Sequence, residues 1–250
     1  SRLRAKIPQQ ELKKMGIDRG NDVLIYGKHF LSLKDVSVCK RLIFDCCDDH
    51  FDHPELGKYY RDHIANADVV TCNSEVMKKR IKAITGRDAI VVSEPYEHEE
   101  MEATIAPMLF WYGHKSNFKD LERIESQLHY PLLAMSNYPG CVEWTQDAFD
   151  KAISQPCIVI IPTGEKKAKS ENRMVEAIRC GKYVCAEYLP SYAPFGEFFP
   201  LSDIIEHIER ALANPQDSIQ RIKDAQAYIR DKYSPRTIAE QWLEVIYGIS

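Results

Sequence analysis

No stretch of the 250-residue chain approaches the roughly 18 or more consecutive apolar residues that a membrane span needs, so no integral membrane segment is expected. The polar opening Ser1-Arg-Leu-Arg-Ala-Lys6 has none of the apolar core of a secretory signal, which points to a cytoplasmic protein. Also missing is any Cys-x-x-Cys pair. The eight cysteines, Cys39, Cys46, Cys47, Cys72, Cys141, Cys157, Cys180 and Cys185, lie mostly in or beside apolar runs. That placement indicates buried free thiols, and it suggests neither a disulfide framework nor a zinc site. Positive charge is not in excess either. A formal net charge of −4 gives no global basic field of the kind that holds nucleic acid non-specifically, and only a local basic patch stays open. Internal repeats and low-complexity segments are absent from the sequence.

What is present is the balance of a globular protein: 44% hydrophobic and 28% charged residues are enough to bury a core, which excludes general disorder. The length allows one large domain or two small ones. Short β-branched runs alternate with helical spacing, the pattern of an α/β fold with parallel sheets and crossover helices. In the first half, strands are expected at Asp22 to Tyr26, Arg41 to Phe44, Asp68 to Thr71 and Ala89 to Val92, with helices at Pro54 to Ala65 and Ser74 to Ile84. Ser74 is the expected cap of the second helix. Met101 to Pro107 reads as a linker. Beyond it, strands are expected at Met108 to Tyr112, Leu132 to Met135, Cys157 to Ile161 and Tyr183 to Ala186, with helices near Asn117 to Gln127, Cys141 to Ile153 and Ser170 to Cys180. The tail from Leu201 to Ile249 is helical and broken at Pro215 and Pro235.

The densest chemistry lies between Ile160 and Gly181, where a buried strand runs into a lysine-rich loop that opens a helix. Helix N-termini at the carboxyl ends of parallel strands offer N–H groups to anions. Lys166, Lys167, Lys169 and Arg173 put positive charge where a diphosphate would lie, and Glu176, a turn further in, can accept from ribose hydroxyls. The plainer reading of the same stretch is a solvated basic helix start.

The segment Ser170-Glu-Asn-Arg-Met-Val-Glu-Ala-Ile-Arg-Cys-Gly-Lys-Tyr-Val184 resembles the donor-binding motif of GT-B glycosyltransferases, in which a Glu-Ala helix is followed by a small-residue turn, Gly and a short strand. Ala67-Asp-Val-Val-Thr71 with the helix after it, Ile90-Val-Val-Ser-Glu-Pro95, and Phe110-Trp-Tyr-Gly-His114 resemble further segments of the family in the family's order. The resemblance covers Ala67 to Ala186. It implies two Rossmann-like half-domains facing a cleft, residues 1–100 on the acceptor side and 101–250 on the nucleotide-sugar side, with a helical C-terminal tail whose last helix returns to the first half. It implies transfer of a sugar from a nucleotide diphosphate-sugar to a hydroxyl acceptor (glycan, lipid, small molecule or modified nucleic acid), with no cofactor and no metal required. Gly113, His114 and Lys115 would lie beside the phosphates with Thr163, Ser170 and Asn172. Lys169 and Arg173 would neutralise the leaving diphosphate, and Glu176 would hold the donor ribose. The large retaining group of the family often carries a glutamate eight positions before the ribose glutamate; here that position is Ala168, and Glu165 is out of register. Ser1 to Arg4 resembles the loop and helix after the family's first strand, which implies a compact or N-terminally trimmed form in which Arg2 and Arg4 line the cleft; the plainer reading is two solvated charges on a bare terminus. A sugar-nucleotide epimerase or hydrolase, and an inactive nucleotide-sugar-binding or scaffold protein of the same fold, are the competing readings.

A second polar cluster, Asp45-Cys-Cys-Asp-Asp-His-Phe-Asp-His53, follows an apolar run and precedes a helix. Four acids and two histidines at a strand end suit a divalent metal or a general base. The resembling position in the family faces the acceptor, which favours an acceptor or catalytic role for Asp48, Asp49 and His50, with Asp48, then His50, as the base that takes the acceptor proton. The competing reading is structural: Asp48 or Asp52 caps the helix at Pro54, and the histidines are solvated. His29, His63, His98 and His129 stand alone in the sequence and read as surface or core residues, and the aromatic group Tyr188, Tyr192, Phe195, Phe198 and Phe199 reads as packing.

Overall fold

The computed structural model describes residues 2–17, 23–27, 32, 39–164 and 168–248. Asp22, His29, Glu165, Lys166, Lys167 and Ile249, named above, lie outside the described residues. The chain divides into two compact α/β units: the first comprises Ser1–Glu97, Lys167–Glu171 and Lys232–Ser250, the second His98–Lys166 and Asn172–Asp231.

In the first unit, β1 (Val23–Tyr26), β2 (Arg41–Cys46), β3 (Val69–Cys72) and β4 (Ile90–Val91) form a parallel sheet in chain order. A helical turn at Arg2–Lys6 leads into α1 (Ile7–Lys14), and α2 (Pro54–Asn66) and α3 (Glu75–Thr85) supply the crossovers. Ser74 Oγ accepts from Met77 N at 3.3 Å and caps α3, while Gly86 closes that helix with φ 73°. The cap of α2 is neither Asp48 nor Asp52. His53 Nδ1 accepts from Glu55 N and Leu56 N, both at 3.3 Å, because an extended His53 before Pro54 aims its ring back at the first turn. Phe44, Tyr60, Ile64, Met77 and Ile81 fill one core. Ile43 and Val92 pack instead with Ile238, Trp242 and Val245 of α9 (Pro235–Tyr247), so the chain's last helix belongs to this unit, and α1 lies along it.

In the second unit, β5 (Leu109–Tyr112), β6 (Leu132–Met135), β7 (Ile158–Ile161) and β8 (Tyr183–Ala186) are all parallel, in the order β6-β5-β7-β8. Every residue of β5, β7 and β8 is buried, which explains why their sequences are unbroken apolar runs rather than alternating ones. Around this sheet are α4 (Phe118–Glu125), α5 (Gln146–Ser154), α6 (Asn172–Arg179), α7 (Ile204–Ala213) and α8 (Pro215–Lys232). Pro215 and Pro235 each open a helix, where a missing N–H costs no intrahelical bond. No helix among the described residues is long and apolar enough to cross a membrane.

Two helices begin later than their sequence spacing suggests. The one expected from Cys141 starts at Gln146, because Val142 N instead donates to Ala134 O at 2.9 Å and Thr145 Oγ1 caps Ala148 N at 3.1 Å. The one expected from Ser170 starts at Asn172, and 168–171 belong to the first unit. Behind α6, Gly181 takes φ 71°, and a Cβ there would stand 2.1 Å from the Glu102 carbonyl oxygen. That approach lets Thr104 N donate to Gly181 O at 3.0 Å. Gly181→Ala is expected to cost about 2–4 kcal/mol, combining a left-handed backbone with overpacking against main chain. The shift of the denaturant midpoint measures it, and an unchanged midpoint would contradict the packing described.

Candidate functional site

The strand order of the second sheet places a switch point between β5 and β7: the chain leaves β5 toward β6 on one side and leaves β7 toward β8 on the other. Connections that diverge in this way open a crevice at the carboxyl ends of the two strands, the usual ligand position in parallel α/β sheets. Gly113, His114 and Lys115 emerge there from β5, and Thr163 follows β7.

Arg173, in the first turn of α6, is clamped to the end of β5. Its Nη1 donates to Tyr112 O at 3.1 Å, and the Tyr112 hydroxyl donates to Arg173 O at 2.9 Å. Gly113 is hemmed in by the same group: a Cβ would lie 3.3 Å from Arg173 Nη1 and 3.2 Å from Trp111 Cζ2. The exposed His114 caps the short turn Lys115–Asn117 through its Nδ1, which accepts from Ser116 N at 3.2 Å. Thr163 is buried, and its N–H and that of Gly164 converge on Glu187 Oε2 at 2.8 and 3.0 Å. Burial alone would raise the Glu187 carboxyl, but Arg123 and these two N–H groups outweigh it and hold the group below the ordinary value. The amide pair after β7 is thus an anion-binding feature that a carboxylate of the chain already fills. Gly113 and Arg173 are brought into contact, whereas Thr163 is committed to Glu187.

Glu176, one turn along α6, faces a residue the sequence reading sets aside. His98 is not isolated: its main-chain N–H donates to Glu176 Oε1 at 3.2 Å, its Nδ1 contacts the same oxygen, and its Nε2 meets Asp150 Oδ1 at 2.9 Å. Cys180 Sγ lies 3.9 Å from Glu176 Oε1. The hydrogen bond with Cys180 and the one with Glu176 favour the imidazolium and raise the His98 pKa.

The first unit gathers a different set of charges. Arg4 is buried; its Nε donates to Asp45 Oδ2 at 3.0 Å, its Nη1 to the Val92 carbonyl, and Thr71 Oγ1 donates to Asp45 Oδ1 at 2.8 Å. Glu94, just past β4, is buried and hydrogen-bonded to the Ser170 side chain, and burial pushes its carboxyl up. Glu171 accepts from the Tyr233 hydroxyl at 3.2 Å, and burial pushes its carboxyl up to about 7. Ala168 packs in the core beside Phe44 and Tyr60. Lys169 and Ser170 therefore group with the first unit, and Asn172, Arg173 and Glu176 with the second. Of the acidic cluster, Asp49 and Asp52 are held by Arg80 at 3.1 and 2.9 Å, while Asp48 and His50 are half-buried. The sequence signal for Glu94 is modest: an acid one serine beyond the apolar run Ile90-Val-Val92.

No family model matches this chain, and no curated protein matches it. Among solved structures, the crystal structure of TarM, a glycosyltransferase, matches with a TM-score of 0.60 at 12% sequence identity. The match covers 96% of this chain and 57% of TarM, so the chain spans little more than half of that protein. At this identity the likeness is one of fold alone, with two parallel four-stranded sheets flanked by helices.

Because Glu171 binds its proton more tightly in the folded chain than in the unfolded one, it favours folding when protonated. Its contribution to stability is therefore greatest below the ordinary carboxyl value of 4.5 and is lost as pH rises through about 7. The decline is on the order of 3 kcal/mol for a shift of this size. Glu94 contributes with the same sign. Unfolding free energy measured between pH 4 and 8 is expected to fall less steeply in Glu171→Gln than in the parent; equal slopes would contradict the burial of this group.

Proposed function

We propose that this chain is a glycosyltransferase that moves a sugar from a nucleotide diphosphate-sugar to a hydroxyl acceptor. The observation that carries the reading is the Arg173 guanidinium, clamped beside Gly113 at the β5/β7 switch point. A fold shared with a glycosyltransferase supports it. In this reading the diphosphate lies against Gly113, His114 and Lys115, with Ser170 and Asn172 as further polar contacts and Glu176 on the ribose, while Thr163 stays with Glu187. The bond from the sugar's anomeric carbon to the diphosphate oxygen breaks, and a bond from that carbon to the acceptor oxygen forms. Negative charge grows on the departing diphosphate, where Lys169 and Arg173 stabilise it; a cation fixed in advance does so without reorganisation. The acceptor proton goes to Asp48, with His50 as the second candidate. The transfer requires no metal.

A second reading, nucleotide-sugar binding without transfer, draws support from Ala168, a core residue where the retaining group often carries a glutamate. Incubation with UDP-, GDP-, ADP- and CMP-sugars separates the two, because only a transferase or a hydrolase releases free nucleotide from them. Arg173→Ala is expected to lower turnover by about 100-fold or more, the scale of losing one charge-stabilising donor. Asp48→Asn is expected to lower transfer while donor affinity persists. Parent rates in Arg173→Ala, with a folded chain by circular dichroism, would refute the assignment.

A further inference from the structure

We infer that His98, Glu176 and Cys180 form a binding site for a zinc-class divalent cation. The three side chains offer one ligand atom each, all within 4.8 Å of one another, and they are the one such group found among the described residues. Their chemistry is mixed: an imidazole nitrogen, a carboxylate oxygen and a sulfur. Nitrogen and sulfur together select zinc and its neighbours over magnesium or calcium, which take oxygen ligands.

The geometry is close to what such an ion needs. Glu176 and Cys180 stand four residues apart on one helical face, and Cys180 N still donates to Glu176 O at 3.0 Å, so their spacing is fixed by the backbone. The observed 3.9 Å between Glu176 Oε1 and Cys180 Sγ compares with the ligand-to-ligand edge of about 3.5 Å that tetrahedral zinc–oxygen and zinc–sulfur bonds generate. His98 Nδ1 now rests against Glu176 Oε1 and must retreat to about 3.3 Å to make room for the ion.

Support for the histidine is also in place. Its Nε2, the nitrogen pointing away from the sulfur and carboxylate, meets Asp150 Oδ1 at 2.9 Å. Asp150 is itself held by Gln146 Nε2 at 2.6 Å. A carboxylate on the far nitrogen fixes the ring's tautomer and orientation and raises its basicity, as it does for histidines that ligate metals. Three protein ligands leave a fourth position open for water or another small ligand, the arrangement of an accessible rather than a closed structural site. Burial completes the setting: Cys180 is fully buried, and His98 and Glu176 are each about 14% and 13% exposed at the side chain.

This inference goes beyond the glycosyltransferase reading and does not require it. Glu176 is also the proposed ribose ligand, so the assay omits nucleotide, and a failure of the donor reading leaves its outcome untouched. The full-length chain, stripped with chelator and desalted, is titrated with zinc chloride against a chromophoric competitor, and in parallel with cobalt chloride. The expected result is one equivalent of zinc bound at micromolar or tighter affinity, and a cobalt spectrum with a thiolate charge-transfer band. Cys180→Ser, nearly isosteric, abolishes that band, and His98→Gln lowers affinity by about 100-fold or more; Asp150→Asn lowers it by about 10- to 100-fold. Circular dichroism and melting of each metal-free variant show that the fold persists. No binding below millimolar zinc overturns the inference. So does stoichiometric binding that survives unchanged in Cys180→Ser and His98→Gln, which assigns the metal to other cysteines.

Discussion

Two parallel strands whose chains depart in opposite directions cannot both be covered at their carboxyl ends by the crossovers that follow them. In the second unit that constraint falls between β5 and β7, and the most telling contacts of the molecule are arranged around it. Buried strands with no exposed face bring main-chain groups to this edge with little freedom, so Tyr112 presents both its carbonyl and its hydroxyl to one residue, Arg173. The guanidinium is positioned by the end of the sheet. Gly113 follows from the same placement, since a larger residue would press on Arg173 and Trp111. A fixed cation at the mouth of a crevice is suited to a charge that grows during reaction, because no dipole has to reorient when it appears.

The first unit solves a different problem, the burial of several charges at once. Asp45 would be untenable among Phe44, Thr71 and Cys46 without Arg4, and Arg4 in turn spreads its remaining donors over the carbonyls past β4. Such a pair adds little net stability, yet removing one member leaves an uncompensated buried charge. The carboxyls of Glu94 and Glu171 answer the same pressure by moving up. Ser170 bonds Glu94, Glu171 bonds Tyr233 and Ala168 fills core space, so three of the four residues 168–171 tie the segment before α6 into this unit. Lys169 is thus carried on an anchored stretch of chain.

Local signals in the sequence were legible wherever a single residue or run decides the structure. Leu132–Met135 and Tyr183–Ala186 are strands over the residues their apolar runs mark, Ser74 caps its helix, and Pro215 and Pro235 open theirs. The α/β class and the two parallel sheets follow from the same alternation. What was hidden depends on partners distant in the chain. His98 looks solitary because its partners Asp150 and Glu176 lie 52 and 78 residues away. The acidic run from Asp45 to His53 shows its charges but not the arginines that neutralise them, Arg4 for Asp45 and Arg80 for Asp49 and Asp52. The late start of α5 turns on the bond from Val142 to Ala134, a strand-edge pairing that helical periodicity does not reveal.

The central claim is that the β5/β7 switch point of the second unit receives a nucleoside diphosphate. Amide-resolved NMR of the isotope-labelled chain, titrated with UDP, GDP and ADP, tests it most directly. The account predicts saturable shifts for at least one of the three, centred on the amides of Gly113, His114, Asn172 and Arg173. Shifts that leave those four amides unmoved, or no response to any nucleotide at millimolar concentration, would contradict it.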